Sequence, residues 1–262
     1  MGKLEKALSE IQEMQRGGGE SSLSPLCLLI VTFVYLIAML SVPVDSLTML
    51  IWFALFPILG AALSRLNFTD IFLKSLIALP FAALIGLFNP IFDKAPGIMV
   101  GGIEISRGWI TFVSICLRAL LSVQALLILT GSCGFIGMCR SMRKAGVPEF
   151  LTTQLQMVYR YLTVLMQESL DMRRAREARG YGKRHLSLKM WGAFVGQLFL
   201  RTLNRADNIH RAMLARGFTG HIPHYEPRRQ PWRGRDTAVL IVSVALFAIF
   251  RFVDLSALFG FK

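Results

Sequence analysis

Two short runs carry the residue types best suited to chemistry across an interface. Ala178-Arg179-Gly180 and Ala215-Arg216-Gly217 are each followed by an aromatic residue, Tyr181 and Phe218, and their arginines stand 37 positions apart. A Gly just past a last helical turn can take the left-handed conformation that caps a helix, and it adds little surface profile. Ala before the Arg keeps such a tip narrow enough to enter a groove. Arg then projects a planar, permanently charged fork that matches a carboxylate on a partner. The competing reading is that these cations only complement a helix dipole, worth about 0.3–1 kcal/mol. Two copies, each closing a matched stretch, favour docking, and they make Ala178, Arg179, Gly180, Ala215, Arg216 and Gly217 the expected coupling residues.

The other reactive side chains converge on nothing comparable. His221 and His224 bracket Ile222-Pro223 and supply two ligands at most, whereas a metal site needs three or four. Cys27, Cys116, Cys133 and Cys139 show no CxxC spacing and read as small buried hydrophobes. Gly101-Gly102 lacks a strand-turn-helix phosphate loop, and no Walker motif is present. Asp45, Asp70 and the histidines form no paired constellation for an intramembrane enzyme. The sequence therefore predicts no catalytic residue, no cofactor and no ATP hydrolysis by this chain.

Long helices must position the two tips. From Val147 to Gly180, apolar residues recur at Leu151, Leu155, Val158, Leu162, Leu165 and Met172, which marks one helix face. Pro148 stands near the start and Gly180 just past the end, the asymmetry helices favour. A second face runs through Leu188, Trp191, Val195, Leu198, Thr202, Ala206, Ile209 and Met213, stopping at Gly217. Each helix would be about 45 Å long at 1.5 Å per residue. Arg173 with Glu177 and Asp207 with Arg211 are spaced as ion pairs within one helix, each worth a few tenths of a kcal/mol. Leu162, Leu165, Val195 and Leu198 are expected in packing contacts.

Around these helices lies a membrane composition. Of 262 residues, 54% are hydrophobic and only 17% charged, with mean hydropathy +0.53; soluble domains carry roughly a quarter charged residues. Disorder, collagen and disulfide scaffolds are excluded. Candidate spans cover 26–42, 46–64, 75–92, 108–129 and 237–250, the last lengthened by a snorkelling Arg251. Pro80 is tolerable where neighbours re-satisfy the freed carbonyl. Arg118, inside the fourth span, must face protein or water, either on a substrate pathway or paired with Gln124 or a loop acid. Arg251 and Asp254 are placed to pair, and Trp232 among arginines reads as an interfacial anchor.

Charge gives the orientation. Residues 131–235 hold 19 Lys and Arg against 6 Asp and Glu, a net of +13, and the rest of the chain holds ten of each. Cations favour the cytoplasmic side, which puts the N-terminus and this stretch inside and the C-terminus outside. The N-terminus does not read as a cleaved signal. The expected fold is all-α, a polytopic membrane protein with about five transmembrane helices and two long amphipathic cytoplasmic coupling helices. Its parts are a cytoplasmic segment 1–22, a four-span region 23–130, a coupling region 131–235, and a fifth span with the C-terminus, 236–262. A basic membrane protein binding anionic lipid or nucleic acid is the rival class. Tyr159, Tyr161 and Trp191 lie on helix faces rather than in an open groove, which argues against nucleic acid.

Val147-Pro148-Glu149-Phe150, Tyr159-Arg160-Tyr161, the run from Arg173 to Gly180, Arg205-Ala206 and the run from Arg211 to Phe218 closely resemble the T component of energy-coupling factor transporters, cobalt-type (the CbiQ and EcfT family). One departure is Ser24-Pro25-Leu26, where the family usually starts its first span with an Asp-Pro-Arg-like run. The resemblance implies a non-catalytic subunit of an importer in the prokaryotic plasma membrane. It would hold a substrate-binding S component, CbiM-like and accompanied by a small CbiN-like subunit, and rest on two copies of an ABC-type ATPase. Ala178, Arg179 and Gly180 would form one docking tip, and Ala215, Arg216 and Gly217 the other. Cobalt is the implied cargo, with nickel, biotin or a shared vitamin module as alternatives.

Overall fold

Runs of Leu, Ile, Ala and Phe broken by Pro and Gly give helices of uneven length in a computed structural model that describes residues 23–43, 47–64, 66–92, 98–100, 103–179, 187–219 and 233–252. In chain order these are α1 (Pro25–Leu40), α2 (Leu47–Phe53), α3 (Leu55–Leu63), α4 (Phe68–Ser75), a 3-10 turn (Leu76–Ala78), α5 (Leu79–Gly86) and α6 (Phe88–Phe92). After them come a hairpin of β1 (Ile98–Val100) and β2 (Ile103–Ile105), then α7 (Arg107–Lys144), α8 (Glu149–Arg179), α9 (Leu188–Ala215) and α10 (Gly234–Phe252). The described residues fall into two compact units, one built from α1 to α7 with α10, the other from α8 and α9.

In the first unit α7 is the axis. Pro25 packs on Gly137, Ile128 on Gly60, Leu66 on Gly131 and Phe112 on Gly86. These pairings make α1 and the 68–92 segment antiparallel to α7, with α3 running alongside it. Ser24 N–H donates to Asp236 Oδ1 at 3.2 Å, and Tyr35 lies 5.4 Å from Phe247 between ring centroids, so α10 runs parallel to α1. The starts of α1, α4 and α10 thus share one face with the ends of α3 and α7. Tyr35, Phe53 and Phe247 are buried at the centre beside Phe56, with Cys27, Met39 and Leu50 around them. Phe81, Ile77 and Phe92, by contrast, are 76%, 76% and 81% exposed. An apolar exterior of this extent suits a lipid solvent. Phe68–Phe92 and Arg107–Lys144 are long and apolar enough to cross a membrane, and Pro25–Leu40 is a shorter apolar helix.

Each interior proline frees the carbonyl four residues back, because it has no N–H, and each such carbonyl is taken up. Pro57 leaves the Phe53 carbonyl, which accepts from Tyr35 Oη at 3.1 Å. Pro80 leaves that of Leu76, which accepts from Leu79 N–H in the 3-10 turn. Pro90 leaves that of Gly86, which accepts from Asn89 Nδ2 at 3.3 Å. The segment with Pro80 therefore continues through it, as expected of a membrane helix.

Two features differ from the sequence reading. Residues 89–107 are not all loop: Ile98–Val100 pairs with Ile103–Ile105 in an antiparallel ladder, Val100 opposite Ile103. The composition change at 131 falls inside α7, which runs on to Lys144 and is broken only at Gly134, where φ is 65°. The cluster of Arg140, Arg143 and Lys144 comes only in its last turns, so charge and backbone change at different points.

Candidate functional site

The second unit is a pair of long amphipathic helices. α8 has 31 residues and α9 28, matching the expected lengths. The Pro148 carbonyl accepts from Leu151 and Thr152 at the start of α8, and Ser187 Oγ accepts from Met190 N–H at 3.4 Å to cap α9. Glu168 on α8 forms an ion pair with Arg201 on α9, a link that nothing in the sequence pattern signals. Toward the other end of the pair, a cavity of about 480 Å³ is lined by Gln154, Tyr161 and Leu165 of α8 and by Thr202, Ala206 and Met213 of α9. The apolar rows that meet across it run in opposite directions, so the helices are antiparallel.

That register decides where the tips are. Phe218, just past α9, lines the same cavity as Thr153 near the start of α8. Arg216 therefore sits beside the beginning of α8, and Arg179 at its end, about 40 Å away at 1.5 Å per residue. Ala178, Arg179, Ala215, Arg216 and Gly217 are all exposed. Gly217 has φ 82°; its N–H donates to the Leu214 carbonyl at 2.9 Å, and the Phe218 N–H donates to that of Met213 at 3.0 Å. This is a Schellman cap, closed by Phe218 and Met213 on the same apolar cavity. Gly180 lies outside the described residues, as do Asp45, His185, His221, His224, Trp232 and Asp254.

The helix surfaces hold as predicted in some places and not in others. Arg173 Nε donates to Glu177 Oε1 at 3.0 Å, and Arg211 to Asp207 Oδ2 at 2.7 Å, both on exposed faces where such pairs contribute little. Leu165 lines the cavity and Leu198 is half-buried. Leu162 and Val195 are instead exposed, at 39% and 56%, because the two helices meet along a narrow seam that leaves much of each apolar face uncovered. Burial pushes the Tyr159 phenol up, which keeps it a neutral, protonated group on that surface.

Two polar residues of the first unit act structurally. Among the described residues Arg118 meets neither Gln124 nor an acid: its guanidinium donates to the carbonyls of Val42 and Pro43 at 2.7 and 3.0 Å. A guanidinium reaching across the bundle thus gives the carbonyls just past α1 a charged donor. Gln124 faces Ser75 Oγ at 3.4 Å. Asp236, passed over in the sequence, is buried and accepts from Ser24 N–H and, at 3.0 Å, from Arg233 N–H. One carboxylate thus caps the starts of α1 and α10 together. An acid three positions into an apolar helix was the available signal. Cys27, Cys133 and Cys139 are buried free thiols, as read from the sequence.

A bundle with a lipid-suited exterior, in a chain that also holds a basic antiparallel helix pair tipped by arginines at both ends, fits a helical membrane protein. Residues 20–225 match the CbiQ family, described as cobalt transport protein, and the chain belongs to that family. It is 28% identical over 141 residues to the cobalt transport protein CbiQ of Salmonella typhimurium, covering 49% of this chain and 63% of that one. It is 31% identical over 105 residues to the nickel permease LarQ of Lactiplantibacillus plantarum, covering 40% and 38%. Against the energy-coupling factor transporter transmembrane protein EcfT of Brevibacillus brevis it is 29% identical over 219 residues, covering 74% and 79%. The chain spans about half the length of several of the curated relatives it matches.

Proposed function

We propose that this chain is the transmembrane coupling subunit of an energy-coupling factor importer, passing the ATP-driven motion of two cytoplasmic ATPases to a membrane S component, with cobalt ion as the cargo. The observation that carries it is the placing of two Ala-Arg tips at opposite ends of one antiparallel helix pair. Tips about 40 Å apart reach two separate partners, one each, whereas a single binding surface would want them together. Each Arg enters a groove lined by carboxylate, and closure of the ATPases moves the helix pair as a lever. α8 and α9 keep their length under that load because their backbone bonds run within each helix. The chain itself contributes position and leverage, not chemistry.

In this reading the chain crosses the membrane five times, with the N-terminus and the 131–235 stretch in the cytoplasm. The strict alternation of α1, α2 with α3, the 68–92 segment, α7 and α10 supports it, since both connections to the basic stretch leave from one face. The similarity to a cobalt protein and a nickel permease supports a divalent metal over a vitamin as cargo.

The test is affinity capture of the tagged chain in mild detergent, with mass spectrometry of stoichiometric partners. An ABC-type ATPase and a small multi-span protein are expected, and the chain alone, from a membrane containing such an ATPase, would overturn the proposal. Arg179→Glu with Arg216→Glu should abolish ATPase capture and uptake of radiolabelled cobalt while membrane insertion stays normal. Uptake that unlabelled nickel or a vitamin suppresses better than cobalt reassigns the cargo without touching the coupling role.

A further inference from the structure

The side of α8 turned away from α9 is covered. Glu168 faces Arg201 across the pair, and Leu170, two positions on, stands about 200° further around α8 at 3.6 residues per turn. Leu170 is nonetheless buried, at 6% exposure, where Leu151 and Leu162 of the same helix keep 50% and 39%. Tyr159, Thr163 and Met166 recur on its side at steps of four and three, and all three are half-buried. Within this unit α9 is the one other described helix, so the cover comes from elsewhere in the chain.

The sequence holds one stretch that fits. Residues 1–16 lie outside the described residues, and Leu4, Ala7, Leu8, Ile11 and Met14 recur there at steps of three and four, an apolar stripe along one side of a helix. Its charges balance, Lys3, Lys6 and Arg16 against Glu5, Glu10 and Glu13, whereas a helix lying on a membrane surface is rich in Lys and Arg. The stretches on either side of α9 offer no such stripe. In 180–186 the large apolar residues are Tyr181 and Leu186, and 220–232 carries Pro223, Pro227 and Pro231, which a helix interior excludes.

The two rows match. Leu4, Leu8, Ile11 and Gln15 are spaced four, three and four, as are Leu170, Met166, Thr163 and Tyr159, and each row is about 16 Å long at 1.5 Å per residue. Such spacing lets two helices interdigitate side by side. Chain length sets the direction. Arg16 is joined to Leu23 through Gly17-Gly18-Gly19-Glu20-Ser21-Ser22, and Lys144 to Glu149 through Ala145-Gly146-Val147-Pro148. Pro25 packs on Gly137, two turns from the end of α7, so both short links leave from one face, and Arg16 is held toward the start of α8.

We propose that residues 1–16 form an amphipathic helix docked antiparallel on α8, on the side away from α9, with Leu4 on Leu170, Leu8 on Met166 and Ile11 on Thr163. In the lever proposed above this segment braces α8 behind the Arg179 tip. The docking does not rest on the coupling role, so either can fail alone.

Disulfide cross-linking of the full chain in native membranes tests it, with the linked peptides identified by mass spectrometry. Leu8→Cys with Met166→Cys should link within one chain, and Lys6→Cys, on the polar side of the segment, should not link to Met166→Cys. In hydrogen exchange of the otherwise native chain, Leu8→Asp should speed exchange of the 159–170 amides about tenfold, on the order of one leucine side chain returned to water. Leu8→Met, which keeps the volume, should leave the native rate. No link from Leu8→Cys, an equal link from Lys6→Cys, a link between two chains, or exchange indifferent to Leu8→Asp overturns the docking.

Discussion

Pro57 cannot donate to the Phe53 carbonyl, so the hydroxyl of Tyr35 carries that bond from a different helix. In the apolar core a carbonyl left without a donor costs about 1–3 kcal/mol. Tyr35→Phe should therefore destabilise the chain by about that amount in thermal unfolding in detergent. Combined with Pro57→Ala the cost should largely vanish, since residue 57 then has an N–H to give; a Tyr35→Phe penalty of equal size in both backgrounds would refute the compensation. Arg118 is argued the same way. Removing it relieves an insertion cost of about 2.5–3.5 kcal/mol but also two charged hydrogen bonds, each worth about 1.5–3 kcal/mol. Arg118→Met should thus lower stability by about 1–3 kcal/mol while cobalt uptake per folded molecule stays unchanged, and Arg118→Lys should recover part of the loss. An uptake defect without a stability defect would return Arg118 to the substrate pathway. The sequence shows that Pro57 and Arg118 are costly, but the hydrogen bonds that compensate them span 18 and 76 positions, beyond what periodicity can reach.

At the scale of elements, what was legible follows from local rules. α8 and α9 begin and end where apolar recurrence, Pro148 and Gly217 placed them, because caps and faces are written within a few residues. The hairpin at Ile98–Val100 and Ile103–Ile105 was missed because three-residue strands are too short to show alternation, although Gly-Gly between apolar runs is a hairpin signal. The continuation of α7 past 131 was missed because charge was read as backbone. The exposure of Val195 was missed because an apolar face announces that it needs a cover, not which body supplies it. Gly217 gives the element-scale prediction. At φ 82° a side chain with Cβ costs about 1–2 kcal/mol, so Gly217→Val should turn the Arg216 tip out of place. ATPase capture should weaken about 5- to 30-fold, with Gly217→Asn closer to the native chain. Unchanged capture by Gly217→Val would mean that the Schellman cap ends the helix without aiming the arginine.

For the whole molecule, the excess charge of the chain is confined to one stretch of its sequence, and the helix pair in that stretch presents its two arginine tips at opposite ends. A one-partner reading and a two-partner reading then separate by stoichiometry. If each tip holds its own ATPase, Arg179→Glu alone should yield complexes with one ATPase per chain in native mass spectrometry, Arg216→Glu alone should do the same, and the double variant should yield none. If instead both arginines grip one ATPase dimer through a shared surface, the two sites act as one bivalent ligand. Each single change would then weaken capture of the pair together, with no one-ATPase species, because losing one contact lowers avidity without freeing a subunit. The geometry favours the first outcome: an antiparallel register tied by Glu168 and Arg201 fixes the two ends of the pair apart.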